Sequence, residues 1–209
     1  MTKNGKYISY SETIVHNGSS YHVNTNKSKR QGIYAGILHK AIDQLDVCQF
    51  KWRRVFVVFF NLHQKGYYTK DNKHISRFRK NLNRRLEREY TISEVGYLWV
   101  REQEKVKAQH YHFVLFLDGN KIRHSGKIIK IIKDTWKNIN LVNTMPVIGN
   151  PYYFIDNEET KADAIYRMSY LAKVRGKGYR DQHVKDYSTS RLVDTTLFMD
   201  VSQKAKVLL

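Results

Sequence analysis

Arg54–Asn61 reads RVFVVFFN, and this stretch decides the fold. It is an unbroken β-branched and aromatic run, too short for a helix, so it reads as a strand in the middle of a sheet. Upstream, Ile33–Val47 places Ile37, Leu38, Ala41, Ile42 and Leu45 on one helical face. Downstream, Phe78, Leu82 and Leu86 recur at helical spacing within Ile75–Tyr90, which predicts an amphipathic helix with a strongly cationic outer face. Val95–Glu102 (VGYLWVRE) and Gln109–Asp118 (QHYHFVLFLD) follow, joined by a short charged connection, and read as an antiparallel pair of strands. Ser125 is placed to cap a helix running to about Ile139, with Ile128, Ile129, Ile132 and Trp136 on its apolar side. Tyr152–Ile155 is a short strand. Thr160 with Asp163 resembles a capping signal for a last helix that reaches Lys173.

From Arg54 the order is strand, helix, strand, strand, helix, strand, helix. The first six elements follow a ferredoxin-like, split βαβ pattern. The expected fold is therefore α+β, an antiparallel sheet with helices on one face and an active site on the open sheet face. Residues 1–31 are polar and rich in Ser, Asn, Gly, Lys and Tyr, and are expected to form an arm preceding a domain over 32–209.

The 209 residues carry 37 Lys and Arg against 19 Asp and Glu, a formal charge of +18 that repels itself in the folded state. A polyanion relieves that repulsion, and nucleic acid is the commonest one. No stretch approaches the ~20 apolar residues of a membrane span, so no membrane partner is expected. A single cysteine, Cys48, excludes a disulfide within the chain and a Cys-rich zinc site. The N-terminal MTKNGK lacks the apolar core of a signal peptide, which makes the cytoplasm the default compartment.

Three features carry chemistry. His110-Tyr111-His112 lies within a predicted strand, so both imidazoles point to one face, about 7 Å apart along the strand, and can converge on a divalent ion. In a chain with nine histidines the bland alternative is a pair of half-buried rings. Glu102 ends the preceding strand, and antiparallel pairing would return it beside the histidines as a third ligand. Glu104 takes that place if the turn is tighter, and Gln103 is a weaker donor. Finally, Tyr166, Tyr170 and Lys173 (YRMSYLAK) share one helical face. With fifteen tyrosines that spacing alone says little; its weight comes from following a strand-borne histidine pair in a basic protein.

Together these motifs resemble the HUH endonuclease superfamily, named for its His-hydrophobic-His strand. Tyr166 through Lys173 resembles the two-tyrosine motif of rolling-circle replication initiators, and the chain is similar to replication proteins of inovirus-type (filamentous) phages and prophages. The resemblance spans roughly Arg54 to Lys173. The family's first motif would map to Val55–Asn61, but its usual threonines are missing here. The resemblance implies a metal-dependent nickase with Mg²⁺ or Mn²⁺ on His110, His112 and Glu102. Tyr166 or Tyr170 would attack a phosphate of single-stranded origin DNA to give a 5′-phosphotyrosine, with Lys173 beside it. It also implies a bacterial cytoplasmic setting and a host polymerase.

No Gly-rich run ending in Gly-Lys-Ser/Thr occurs, so unwinding is expected from a host helicase. DNA contacts are expected from Arg77, Arg79, Lys80, Arg84, Arg85 and Arg88 on the cationic helix, and from Arg175, Lys177 and Arg180 in a basic, Gly-containing loop. Tyr67, Tyr68 or Tyr179 could stack on bases. Two rivals remain: a basic DNA- or RNA-binding domain without catalysis, and a relaxase- or transposase-type enzyme. The tyrosine pair lies after the histidine motif, which favours an initiator over a relaxase.

Overall fold

Val55–His63, buried along almost its whole length, is the strand around which the protein is built. The computed structural model describes residues 7–25, 31–65, 69–103, 109–177 and 184–193. In chain order the elements are β1 (Ile8–Ser9), β2 (Thr13–His16), β3 (Ser19–His22), β4 (Ile33–Tyr34), α1 (Ala35–Lys51), β5 (Val55–His63), α2 (Lys73–Tyr90), β6 (Gly96–Glu102), β7 (His110–Asp118), α3 (Ser125–Lys137), β8 (Tyr152–Ile155), α4 (Glu158–Leu171) and β9 (Tyr187–Thr189). The fold is α+β, with a five-stranded antiparallel sheet in the order β8-β5-β7-β6-β9. The first four strands of that order are the arrangement a split βαβ pattern produces.

One expectation is corrected. Helices cover both faces of the sheet, so among the described residues neither face is left open. Phe56, Val58, Phe60, Tyr111, Phe113 and Leu115 pack against α2 and α3, whereas Val55, Val57, Phe59, Val114 and Phe116 pack against α1 and α4. The reason is in β5 itself. Both alternating sets of its side chains are apolar, and each set must be kept from water, at about 25 cal/mol per Å².

The polar stretch read as an arm also differs. Residues 13–22 form the β2–β3 hairpin, closed by Asn17 and Gly18, both at positive φ (47° and 81°) as such two-residue turns require. Ile14 and Tyr21 face each other across it and, with Val23, join the core beneath α1 and α4. β1 pairs with β4 at the entrance to α1. The segment is polar in composition because only one side of a short hairpin has to be apolar.

The last helix starts earlier than expected. Asn157, not Thr160, is its cap: the Asn157 side-chain oxygen accepts from the Thr160 backbone N–H at 2.9 Å. The helix ends at Leu171, leaving Lys173 just beyond it, where it bridges to Ile33.

Candidate metal centre

Glu102 is the last residue of β6, and His110 the first of β7; the two stand opposite each other in the ladder. His112 lies two residues further along the same face. Glu102 Oε2 is 3.2 Å from His112 Nε2 and 3.5 Å from His110 Nε2. One donor atom from each residue falls within 4.8 Å of the others. Two imidazole nitrogens and a carboxylate oxygen at such separations fit a divalent ion with positions left for water or substrate.

The surroundings fix these donors. His112 Nδ1 is 2.7 Å from Asn61 Oδ1 on the neighbouring strand, a contact that holds the ring with Nε2 toward Glu102. The other carboxylate oxygen, Oε1, accepts from Lys177 Nζ at 3.0 Å. That ammonium also donates to the Lys173 carbonyl. Burial by itself would raise the Glu102 pKa. Hydrogen bonds from His110 and His112 and the charge of Lys177 outweigh it, holding the carboxyl well below the usual range. Gly176, at φ 76°, lies against Glu102: a Cβ there would stand 3.3 Å from the carboxylate. His63, opposite His110 with ring centroids 5.3 Å apart, completes the row. Its pKa is lowered, by burial first and then by the two neighbouring imidazoles.

The tyrosine helix meets the same place. Tyr166 and Tyr170 are each about half exposed, 47% and 48%, one turn apart on α4. The Tyr170 ring is 5.9 Å from that of His112, and Lys173 Nζ stands 4.7 Å from the Tyr170 ring centre. Two clefts adjoin. One, of about 430 Å³, is lined by Asn61, His112, Tyr166, Arg167 and Tyr170. The other, of about 210 Å³, is lined by Glu102, His110, His112, Tyr170, Lys173 and Arg175. Tyr170 belongs to both, Tyr166 to the first.

The YagK/YfjJ C-terminal domain family model matches residues 16–186, most of the described fold and every residue of this cluster. The chain belongs to that family. No curated protein and no solved structure matches the chain. Among the described residues, no helix is long and apolar enough to cross a membrane.

In this family member, Glu102, His110, His112, Tyr166, Tyr170 and Lys173 are brought together around two adjoining clefts. Gln103 is turned away: its side-chain oxygen accepts from Arg101 on the opposite face of the sheet. Glu104, Tyr67, Tyr68, Tyr179 and Arg180 lie outside the described residues. The cationic helix α2 packs on the face of the sheet that the metal cluster does not use. Arg77, Lys80 and Arg84 are exposed there. Arg85 instead donates to Thr135 and Ile131, tying α2 to α3, and Arg88 pairs with Glu89. Arg79 lies 3.6 Å over the Tyr97 ring. Arg175 opens onto the metal-side cleft. Lys177, expected at the surface, has a fully buried side chain because Glu102 holds it inside.

Sequence reading missed Asn61, His63 and the inward Lys177. The signal for the first was present: Asn61 interrupts an apolar run in phase with Val55, Val57 and Phe59. Only the β5–β7 register, however, sets it opposite His112.

Proposed function

We propose that the protein is a metal-dependent endonuclease and strand transferase of the HUH type, which nicks and rejoins single-stranded DNA to start rolling-circle replication of a phage or related element. The observation that supports it best is one shared cleft holding a His-His-Glu donor set and the half-exposed Tyr170. The family is prophage-associated, which agrees with such a role.

Mg²⁺ or Mn²⁺ bound by His110, His112 and Glu102 would polarise an oxygen of the scissile phosphate; the two imidazoles favour Mn²⁺. Tyr170, nearer the histidines, makes the first attack, and Tyr166, one turn away, the second. In each step the tyrosine O–H gives up its proton and the oxygen bonds to phosphorus. The P–O3′ bond breaks, and the departing oxygen takes up a proton as a 3′-hydroxyl. The 5′-phosphotyrosine keeps the bond energy for rejoining, when a 3′-hydroxyl reverses the step. Lys173 places positive charge beside this exchange. A host polymerase extends the 3′-hydroxyl and a host helicase opens the duplex, in the bacterial cytoplasm.

The test is a denaturing gel after incubation with single-stranded origin-region DNA and Mn²⁺. A metal-dependent covalent band should form with wild type, weaken strongly in Tyr170→Phe and vanish in Tyr166→Phe/Tyr170→Phe. Absence of the band with wild type, with DNA binding intact in His110→Ala/His112→Ala, would replace this reading with a binding domain that does no chemistry.

A further inference from the structure

The metal cluster and α2 lie on opposite faces of the sheet, so a strand touching both has to cross an edge. β9 forms one edge, and among the described residues nothing pairs with its outer side. A cleft of about 460 Å³ runs along it, lined by Lys40 from α1 and by Lys185, Tyr187, Ser188, Thr189 and Arg191. Three cationic and three hydroxyl-bearing residues line it. Its one acid, Asp186, is 3% exposed. Lys40 Nζ is 3.3 Å from the Tyr187 hydroxyl, so α1 and β9 converge on the same space.

The register relates this cleft to the metal centre. Tyr187 stands opposite Val100, and Val100 opposite His112, all on one face. Two strand spacings separate Tyr187 from His112, about 10 Å. On the other side, the Lys185 carbonyl accepts from Asn72 at the start of α2. The cleft thus joins the metal face to the cationic helix. Lys, Arg, Ser, Thr and Tyr are the side chains that hold phosphate backbones without reading sequence.

We propose that the β9-edge cleft is a sugar-phosphate subsite that carries the nicked single strand from the metal face around the sheet edge toward α2. This rests on the single-strand nicking proposed above. The test is metal-free fluorescence anisotropy with a long and a very short oligothymidylate over a salt series. Wild type is compared with Lys40→Ala/Lys185→Ala/Arg191→Ala, and with Lys130→Ala/Lys133→Ala/Lys137→Ala as an equal loss of charge elsewhere.

For the long strand, the salt slope should fall by about 2 in the cleft variant, at ~0.7 per lost phosphate contact. It should change little in the control, and little for the short strand. An unchanged slope, or an equal change in the control, overturns the subsite and leaves the nicking proposal standing. Equal loss with both lengths shows capture of isolated phosphates and overturns the path. If wild type binds neither strand, the functional reading falls with it.

Discussion

Replacing Lys177 with Met removes an ammonium from the interior and leaves Glu102 with a charge its histidines must carry alone. The side chains are 0% and 14% exposed and the contact is 3.0 Å. At an effective dielectric of ~20 the attraction is about 5 kcal/mol, and relief of the lysine's own desolvation returns part of it. Breaking one partner of such a pair costs about 3–5 kcal/mol. For a chain of this length, that is a fall in Tm of roughly 6–20 °C. Metal should change the result. In wild type a divalent ion bound there would share Glu102 with Lys177 and be repelled by it; in Lys177→Met it would be the carboxylate's main cation. Saturating Mn²⁺ should therefore raise Tm more in Lys177→Met than in wild type, whereas Lys177→Met/Glu102→Gln should show neither the full apo loss nor the metal gain. Differential scanning fluorimetry with and without Mn²⁺ reads all of this. An apo Tm within 2 °C of wild type (under ~1 kcal/mol), or an equal metal-induced rise in both proteins, would refute the idea that Lys177 holds the ligand.

Asn61→Leu keeps the packing but takes away the partner of His112 Nδ1, and Mn²⁺ affinity by titration calorimetry should drop roughly 10–100-fold; an unchanged affinity would show the hydrogen bond to be incidental. His74 is pushed down from 6.5 to about 4, chiefly by burial. The neutral ring is thus favoured in the fold. About 3 kcal/mol of stability, complete above pH 6.5, should be lost as pH falls from 6.5 toward 4, and His74→Gln should flatten that part of a urea-denaturation pH profile. Arg85→Ala should lower stability by about 1–3 kcal/mol, through the lost bonds to Thr135 and Ile131, without altering single-strand affinity. Equal stability with weaker DNA binding would return Arg85 to the DNA surface.

Much of the sheet was legible because strands and amphipathic helices advertise themselves by period. Val55–Asn61, Gly96–Glu102 and His110–Asp118 lie where their β-branched and aromatic runs put them. The β2–β3 hairpin was not, because Ile14, Tyr21 and Val23 are too sparse to stand out from a polar stretch until α1 and α4 are seen covering them. The cap of α4 lies three residues before Thr160 because Thr160 and Asn157 are both residue types that cap, and only the folded backbone, extended at Asn157, decides between them.

For the site, the amino-acid sequence by itself determined that His110 and His112 share a face, that Tyr166 and Tyr170 lie one turn apart, and that the chain carries a large excess of cations. Each follows from a local repeat of the backbone or from counting. The tertiary structure decided the rest. It brought Glu102 and Asn61 to the histidines through cross-strand register, turned Lys177 inward onto Glu102, put α2 on the far face, and drew Lys40 and Arg191 to one edge. Those relations join residues tens of positions apart. Packing of both faces of β5 fixes them, and no local pattern in the chain encodes which distant strand will lie beside which.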